Sequence, residues 1–317
     1  MAVKAGRKKR KTYNLSVAIG SLRFKNPVIL ASGTCGFGHE LEELIDVNKL
    51  GGLITKTVTL FKKEGNRPPR IVETPAGLLN SIGLANGGLK DFMFQKLKHL
   101  EKIQTNIIVS IAGDELDEFV KLTESLSEVP CISGIEVNLS CPNIRHKATG
   151  LSLLAQDKKA VEKIITKLRK TTKKVLLTKL SPNVTDIKEI AKAAECAGAE
   201  ALSLVNTYPG MAVDAYTRKP KLGGITGGLS GPCIKPLALK CVWEAYNAVK
   251  IPIVGTGGII EATDVIEFML CGASAVQIGT ANFIDPQAPI KVLAGITQYM
   301  RDRHISDIKC LTGALKT

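Results

Sequence analysis

The sequence predicts a parallel (β/α)8 TIM barrel, and three observations predict it. Short apolar runs rich in β-branched residues alternate about eight times with longer runs of helical period. The short runs are apolar throughout, which marks strands covered on both faces. Polar residues or glycines follow nearly every one, at the carboxyl ends of strands where barrels gather their chemistry. At 317 residues the chain is long enough for two average domains, yet no linker or composition break divides it. The expected organisation is a basic leader over 1–12 and a single barrel domain over 13–317. A doubly wound open sheet uses the same alternation, but eight strands with polar ends favour the closed form.

The elements follow in order. Lys4, Arg7, Lys8, Lys9, Arg10 and Lys11 make the leader a solvated basic tail. Residues 15–19 and 22–24 flank Gly20-Ser21 and read as a small hairpin suited to plug the barrel's bottom. The first strand, 28–31, is followed by Ser32 and then by a helix over 41–48. The second, 53–57, carries Lys56 near its end and precedes a helix over 90–102. The third, 107–111, contains Ser110, and the fourth, 135–139, contains Asn138; their helices are 115–126 and 158–169. The fifth, 175–179, ends on Lys179, and Thr185-Asp186 opens its helix over 186–196, with Gly198 just beyond. The sixth, 201–205, runs into Asn206, with a helix over 235–248. The seventh, 253–255, leads to Gly257-Gly258 and a helix over 263–271 closed by Gly272. The eighth, 276–279, ends at Gly279-Thr280 before a helix over 289–300.

Hydrophobic residues make up 44% of the chain, enough for a sizeable core. No apolar run approaches the roughly 18 residues of a membrane span, and charge stands where a signal peptide would be apolar. The reading is a soluble, cytoplasmic protein. Its eight cysteines are scattered, with no Cys-x-x-Cys pair, and no His cluster has ligand spacing. Neither a disulfide framework, a metal site nor an iron–sulfur cluster is indicated. The net charge of +14 sits partly in the leader and partly on helix faces without interleaved aromatics, a weak signal for nucleic acid.

Glycine turns at the ends of the seventh and eighth strands place backbone N–H groups where many barrels bind phosphate. A third cluster, Gly223 to Pro232, is either a further source of N–H donors or a flexible loop. Lys56 and Lys179 each follow an apolar strand, so their ammonium groups should enter the barrel mouth and meet a carboxylate or a reduced flavin. Asn80, Asn138, Asn143 and Asn206 fall at strand ends or in loops, and amides both donate and accept towards a planar ring of similar groups. Cys141 sits in a polar loop two residues past the fourth strand, where a lowered pKa would let its thiolate act as a base. The four histidines show no paired carboxylate and receive no role.

At these residues the chain resembles the dihydroorotate dehydrogenases, from about Leu15 to the C-terminal helix. The matching segments include Ala31-Ser32-Gly33-Thr34, Thr55-Lys56-Thr57, Asn80-Ser81-Ile82-Gly83-Leu84, Asn138 to Asn143, Thr178 to Asn183, Asn206-Thr207, Gly227 to Pro232, Gly255 to Gly258 and Gly279-Thr280. Their order and spacing together are highly specific. The resemblance implies FMN held by Ser32, Lys56, Thr57, Asn138, Lys179, Val205, Gly231, Gly257, Gly258, Gly279 and Thr280. It implies dihydroorotate or orotate gripped by Lys56, Asn80, Ser81, Ile82, Gly83, Leu84, Asn138, Asn143, Asn206 and Thr207. Cys141 would be the general base, taking a proton from carbon 5 while hydride leaves carbon 6 for the flavin.

Segments 206–211 and 279–283 look like the class 1B pattern, and no membrane-binding extension precedes the barrel. Class 1B implies a partner subunit carrying FAD and a [2Fe–2S] cluster that passes electrons to NAD+, and a homodimer of this chain within a heterotetramer. Two stretches depart from the family: Ser110 stands where Asn is common, and 145–156 lacks the usual Phe-Gly flap pattern. The rivals are another FMN barrel acting on a pyrimidine, of the dihydrouridine synthase or dihydropyrimidine dehydrogenase type, and a non-catalytic barrel binding nucleic acid through its leader.

Overall fold

A computed structural model describes residues 13–139 and 156–316. The leader over 1–12, Cys141, Asn143 and nearly all of the stretch 145–156 lie outside the described residues. The strands, in chain order, are β1 (Val17–Ile19), β2 (Leu22–Phe24), β3 (Val28–Leu30), β4 (Gly52–Ile54), β5 (Ile71–Thr74), β6 (Gly77–Asn80), β7 (Asn106–Ile111) and β8 (Gly134–Asn138). They continue with β9 (Val175–Lys179), β10 (Ala201–Leu204), β11 (Tyr208–Met211), β12 (Val213–Asp214), β13 (Lys219–Pro220), β14 (Thr226–Ser230), β15 (Ile253–Thr256) and β16 (Ala273–Ile278). The helices are α1 (Gly88–Asp91), α2 (Leu97–Leu100), α3 (Leu116–Ser127), α4 (Lys158–Thr171), α5 (Ile187–Cys196), α6 (Lys235–Tyr246), α7 (Ala262–Leu270), α8 (Ala281–Ile284) and α9 (Ala288–Asp302).

Eight parallel strands close into a barrel in the order β3, β4, β7, β8, β9, β10, β15, β16, with β16 pairing back onto β3. These are the eight strands expected, each shifted by no more than three residues at an end. The helices pack their apolar stripes on the barrel. In α4, Val161, Ile164, Ile165 and Leu168 recur at helical spacing on the buried face, and Asp157 accepts from the N–H groups of Lys159 and Ala160 at its start. Asp186 caps α5 in the same way.

The β1–β2 hairpin covers the amino ends of the barrel strands: Leu22 lies against Gly134, Phe24 against Gly52, and Gly20 against Val175. That is the plug the sequence predicted.

The structure corrects three expectations. Residues 41–48 form no α-helix; the stretch folds as two 3-10 turns, His39–Leu41 and Val47–Lys49. Asp46 takes extended geometry and its carboxylate accepts from Asn48 N–H, ending one turn and capping the next. The cluster 223–232 is not a free loop. Its core is β14, which joins β11, β6 and β5 in a four-stranded antiparallel sheet that the sequence did not announce. The expected helix over 90–102 begins at Gly88 and is interrupted by a π turn over Phe92–Lys96.

Candidate active site

A cleft of about 250 Å³ opens at the carboxyl ends of the barrel strands. Ser32, Lys56, Thr57, Asn138, Lys179, Val205, Gly231, Gly257, Gly258, Gly279 and Thr280 all line it, as do Asn80, Ile82, Gly83, Leu84, Asn206 and Thr207. Ser81 does not. It is buried, its hydroxyl accepts from Asn66 Nδ2 at 2.9 Å and its N–H donates to the Arg70 carbonyl. The antiparallel sheet explains how distant segments meet here: β6 delivers Asn80, whose Nδ2 donates to the Gly228 carbonyl on β14 at 3.2 Å.

The polar wall is a connected chain. Thr57 Oγ1 lies 2.9 Å from Ser110 Oγ and 3.3 Å from Ser32 Oγ. Asn138 Nδ2 donates to Thr57 Oγ1, and Asn206 Nδ2 donates to Asn138 Oδ1, both at 3.4 Å. Asn206 Oδ1 in turn accepts from the Thr207 N–H at 2.8 Å. Ser110 therefore stands one hydroxyl behind the lining, fully buried, and steadies Thr57.

Beneath this wall lies a layer that the sequence reading passed over. Inward-facing positions of β8, β9, β10 and β16 bring Glu136, Lys179, Ser203 and Gln277 together. Glu136 is wholly buried; its Oε2 accepts from Ser203 Oγ and Gln277 Nε2, each at 2.9 Å, and its Oε1 is 3.8 Å from Lys179 Nζ. The signal was available: a charged residue inside a strand covered on both faces has to find partners in the barrel interior. Two more buried polar atoms, Thr256 Oγ1 and Gln277 Oε1, face no hydrogen-bond partner among the described residues, and both residues line the cleft.

Opposite lies a cradle of turns. Gly231, Gly257 and Gly258 take φ of +98°, +131° and +77°, and the N–H groups of Gly257, Gly258, Gly279 and Thr280 meet no backbone carbonyl among the described residues. Such a concave set of N–H groups suits a phosphate.

Asp264 ties the cradle down. Its Oδ2 accepts from the Ile260 and Glu261 N–H groups, at 2.7 and 2.9 Å, and its Oδ1 takes Lys235 Nζ at 2.6 Å. Burial opposes ionisation of this carboxyl, but Lys235 and the two N–H groups outweigh it and hold the pKa below the ordinary value. The stabilisation is therefore present above the ordinary carboxylate range and lost as pH falls through the depressed value. Melting temperatures of wild type and Asp264→Asn are expected to differ near neutrality and converge in acid; a gap independent of pH would reject this role.

His39, given no partner from sequence, lies 3.1 Å from Glu40 and stacks on His99 with ring centroids 4.9 Å apart. Among the described residues no helix is long and apolar enough to cross a membrane.

Fold and site together define a parallel-barrel class whose cleft sets a glycine cradle suited to phosphate opposite a wall of amides beside two lysines. The dihydroorotate dehydrogenase family profile matches residues 14–300, and the chain belongs to that family. A protein of Geotalea daltonii is 49% identical over 303 residues, covering 96% of this chain and 98% of that protein. One of Bacteroides thetaiotaomicron is 48% identical, covering 96% and 99%. One of Geotalea uraniireducens is 47% identical, also covering 96% and 99%. All three bear the name dihydroorotate dehydrogenase B (NAD(+)), catalytic subunit.

Proposed function

We propose that this chain is the catalytic subunit of an NAD+-linked, class 1B dihydroorotate dehydrogenase, with residues 13–317 as one catalytic domain. It oxidises (S)-dihydroorotate to orotate in de novo pyrimidine (UMP) synthesis. The observation that carries this reading is the meeting, in one cleft, of the glycine cradle, the amide chain and two lysines, in a member of this family.

FMN fits the cleft, and when bound it supplies the hydride acceptor. Gly231, Gly257, Gly258, Gly279 and Thr280 would hold its phosphate end, and Ser32, Thr57, Asn138, Lys179 and Val205 the remainder. A Cβ on Gly258 would come within 2.7 Å of Lys235 Cβ, so the cradle excludes side chains where a phosphate would rest. Lys56 holds the substrate carboxylate. Asn80, Asn138 and Asn206, with Asn143, pair with the ring amides, and Ile82, Gly83, Leu84 and Thr207 complete the wall, with Ser81 bonded to Asn66 behind it. Cys141 removes the proton from carbon 5. Electrons leave to NAD+ through a partner subunit carrying FAD and [2Fe–2S], in a cytoplasmic heterotetramer built on a homodimer of this chain.

The test is anaerobic stopped-flow absorbance of the purified, FMN-loaded chain. Rapid bleaching on adding dihydroorotate, and recovery with NAD+ only when the partner is present, is the expected result. A yellow protein that does not bleach overturns the substrate.

The Lys56 ammonium makes no hydrogen bond or ion pair among the described residues, while its backbone N–H donates to the Gly36 carbonyl. Burial lowers its pKa, with the Arg70 and Lys96 charges adding to the effect and Glu40 opposing it. Removing it in Lys56→Met should raise KM for dihydroorotate roughly 10- to 100-fold, the worth of about 1.5–3 kcal/mol for a hydrogen bond to a charged group. In the wild type, KM should rise at a pH below the ordinary lysine value, as the ammonium loses its proton. A KM flat to that pH would remove Lys56 from the carboxylate.

A further inference from the structure

The two cations of the cleft are treated differently by their surroundings. Among the described residues Lys56 has no carboxylate within ion-pair distance, whereas Lys179 stands 3.8 Å above the buried carboxylate of Glu136. At that distance the contact is charge against charge, not a hydrogen bond, and Glu136 Oε1 has no hydrogen-bond partner among the described residues. Ser203 and Gln277 hold the opposite oxygen, so the carboxylate is anchored from the far side and cannot swing away from the lysine. In a buried layer such a pair is screened little by solvent and salt, and its field reaches whatever lies in the cleft above.

We infer that Glu136 is a positioning residue that sets the reduction potential of the bound flavin, acting through Lys179. The inference rests on the proposed FMN reading. An uncompensated lysine beneath a flavin stabilises the added negative charge and makes the flavin hold its electrons tightly. A carboxylate directly under that lysine offsets the stabilisation. In the proposed reaction bound FMN would supply both acceptance of electrons from dihydroorotate and their release towards NAD+, a weak oxidant, and a half-neutralised Lys179 would keep the second transfer open. Lys56, left unpaired, keeps its charge for the substrate anion. Ser203 and Gln277 moderate the effect, since their donated hydrogen bonds draw negative charge off the carboxylate.

The test is a redox titration of the FMN-loaded protein against a reference dye, comparing wild type, Glu136→Gln and Ser203→Ala. Glu136→Gln keeps the shape but removes the charge, so its potential should shift upward. Ser203→Ala removes a donor from the carboxylate, so its potential should shift downward. Opposite shifts support the inference; a general disturbance of the barrel would move both the same way and overturn it, as would an unchanged potential in Glu136→Gln. Should Glu136→Gln fail to fold, Ser203→Ala decides alone: a downward shift supports, and no shift or an upward one overturns. A wild-type chain that takes up no FMN overturns the proposed function and the inference with it. Normal bleaching by dihydroorotate with an unshifted Glu136→Gln potential overturns the inference alone.

Discussion

Gly258→Ala is expected to purify colourless, with the barrel folded and FMN affinity lost by roughly 10- to 100-fold or more. The residue takes φ +77°, a conformation that costs an alanine about 1–2 kcal/mol. The new methyl would also lie 2.7 Å from Lys235 Cβ and 2.9 Å from both the Gly231 carbonyl and the Lys235 N. Lys235 cannot retreat, because Asp264 and Glu267 hold its ammonium at 2.6 and 2.9 Å. The turn itself must move, and its N–H groups leave the line on which they would meet the proposed phosphate. Losing even one hydrogen bond to a charged group costs about 1.5–3 kcal/mol, which sets the lower bound on the effect. Flavin fluorescence titration reads the affinity, and thermal melting without FMN separates a lost site from a lost fold. An affinity within threefold of wild type would mean the cradle holds something else.

Cys141→Ala is expected to keep its FMN and lose about a hundred- to ten-thousandfold in the rate at which dihydroorotate bleaches it, the usual worth of a general base. Four of the other thiols have raised pKa values and do not compete for the role. Cys35, the one beside the cleft's first strand, bonds to the carbonyls of Ala31 and Ile54, and burial, with Glu40 adding to it, pushes its pKa up to about 12. Burial likewise raises the thiols of Cys131, Cys241 and Cys271. Stopped-flow at saturating dihydroorotate reads the chemical step directly. An undiminished rate would reassign the base.

The barrel was legible because its signal is local: each strand is a largely apolar run, and nearly every one is followed by a polar residue or a glycine. Lys56, Asn138, Lys179 and Asn206 could be named from that rule alone, and all line the cleft. The antiparallel sheet was not legible. Its strands include Tyr208-Pro209-Gly210-Met211 and Thr226-Gly227-Gly228-Leu229-Ser230, rich in residues that strands usually avoid. Their glycines answer to packing across long sequence distances: a Cβ on Gly228 would fall 2.1 Å from Thr207 Oγ1, and one on Gly227 2.5 Å from the Asn80 carbonyl. No pattern within β14 announces neighbours that far away. Ser81 misled for a related reason: it belongs to a motif whose backbone runs along the cleft while its own hydroxyl turns to Asn66. Glu136 and Gln277 were hidden by their strands, where a polar residue reads as a lapse in an apolar run until the opposite wall is in view.

The closure of β16 onto β3 has a consequence for how the protein is made. Val28 pairs with Val276, so the first barrel strand emerges from the ribosome about 250 residues before its last partner. At roughly 5–20 residues per second, that interval lasts on the order of 10 to 50 seconds. Throughout it, the edge formed by Val28, Ile29 and Leu30, wholly buried in the finished barrel, stands open to neighbouring nascent chains. Synthesis in the cell thus sets a race between seam closure and association, and a chain cut short before β16 would retain the open edge permanently.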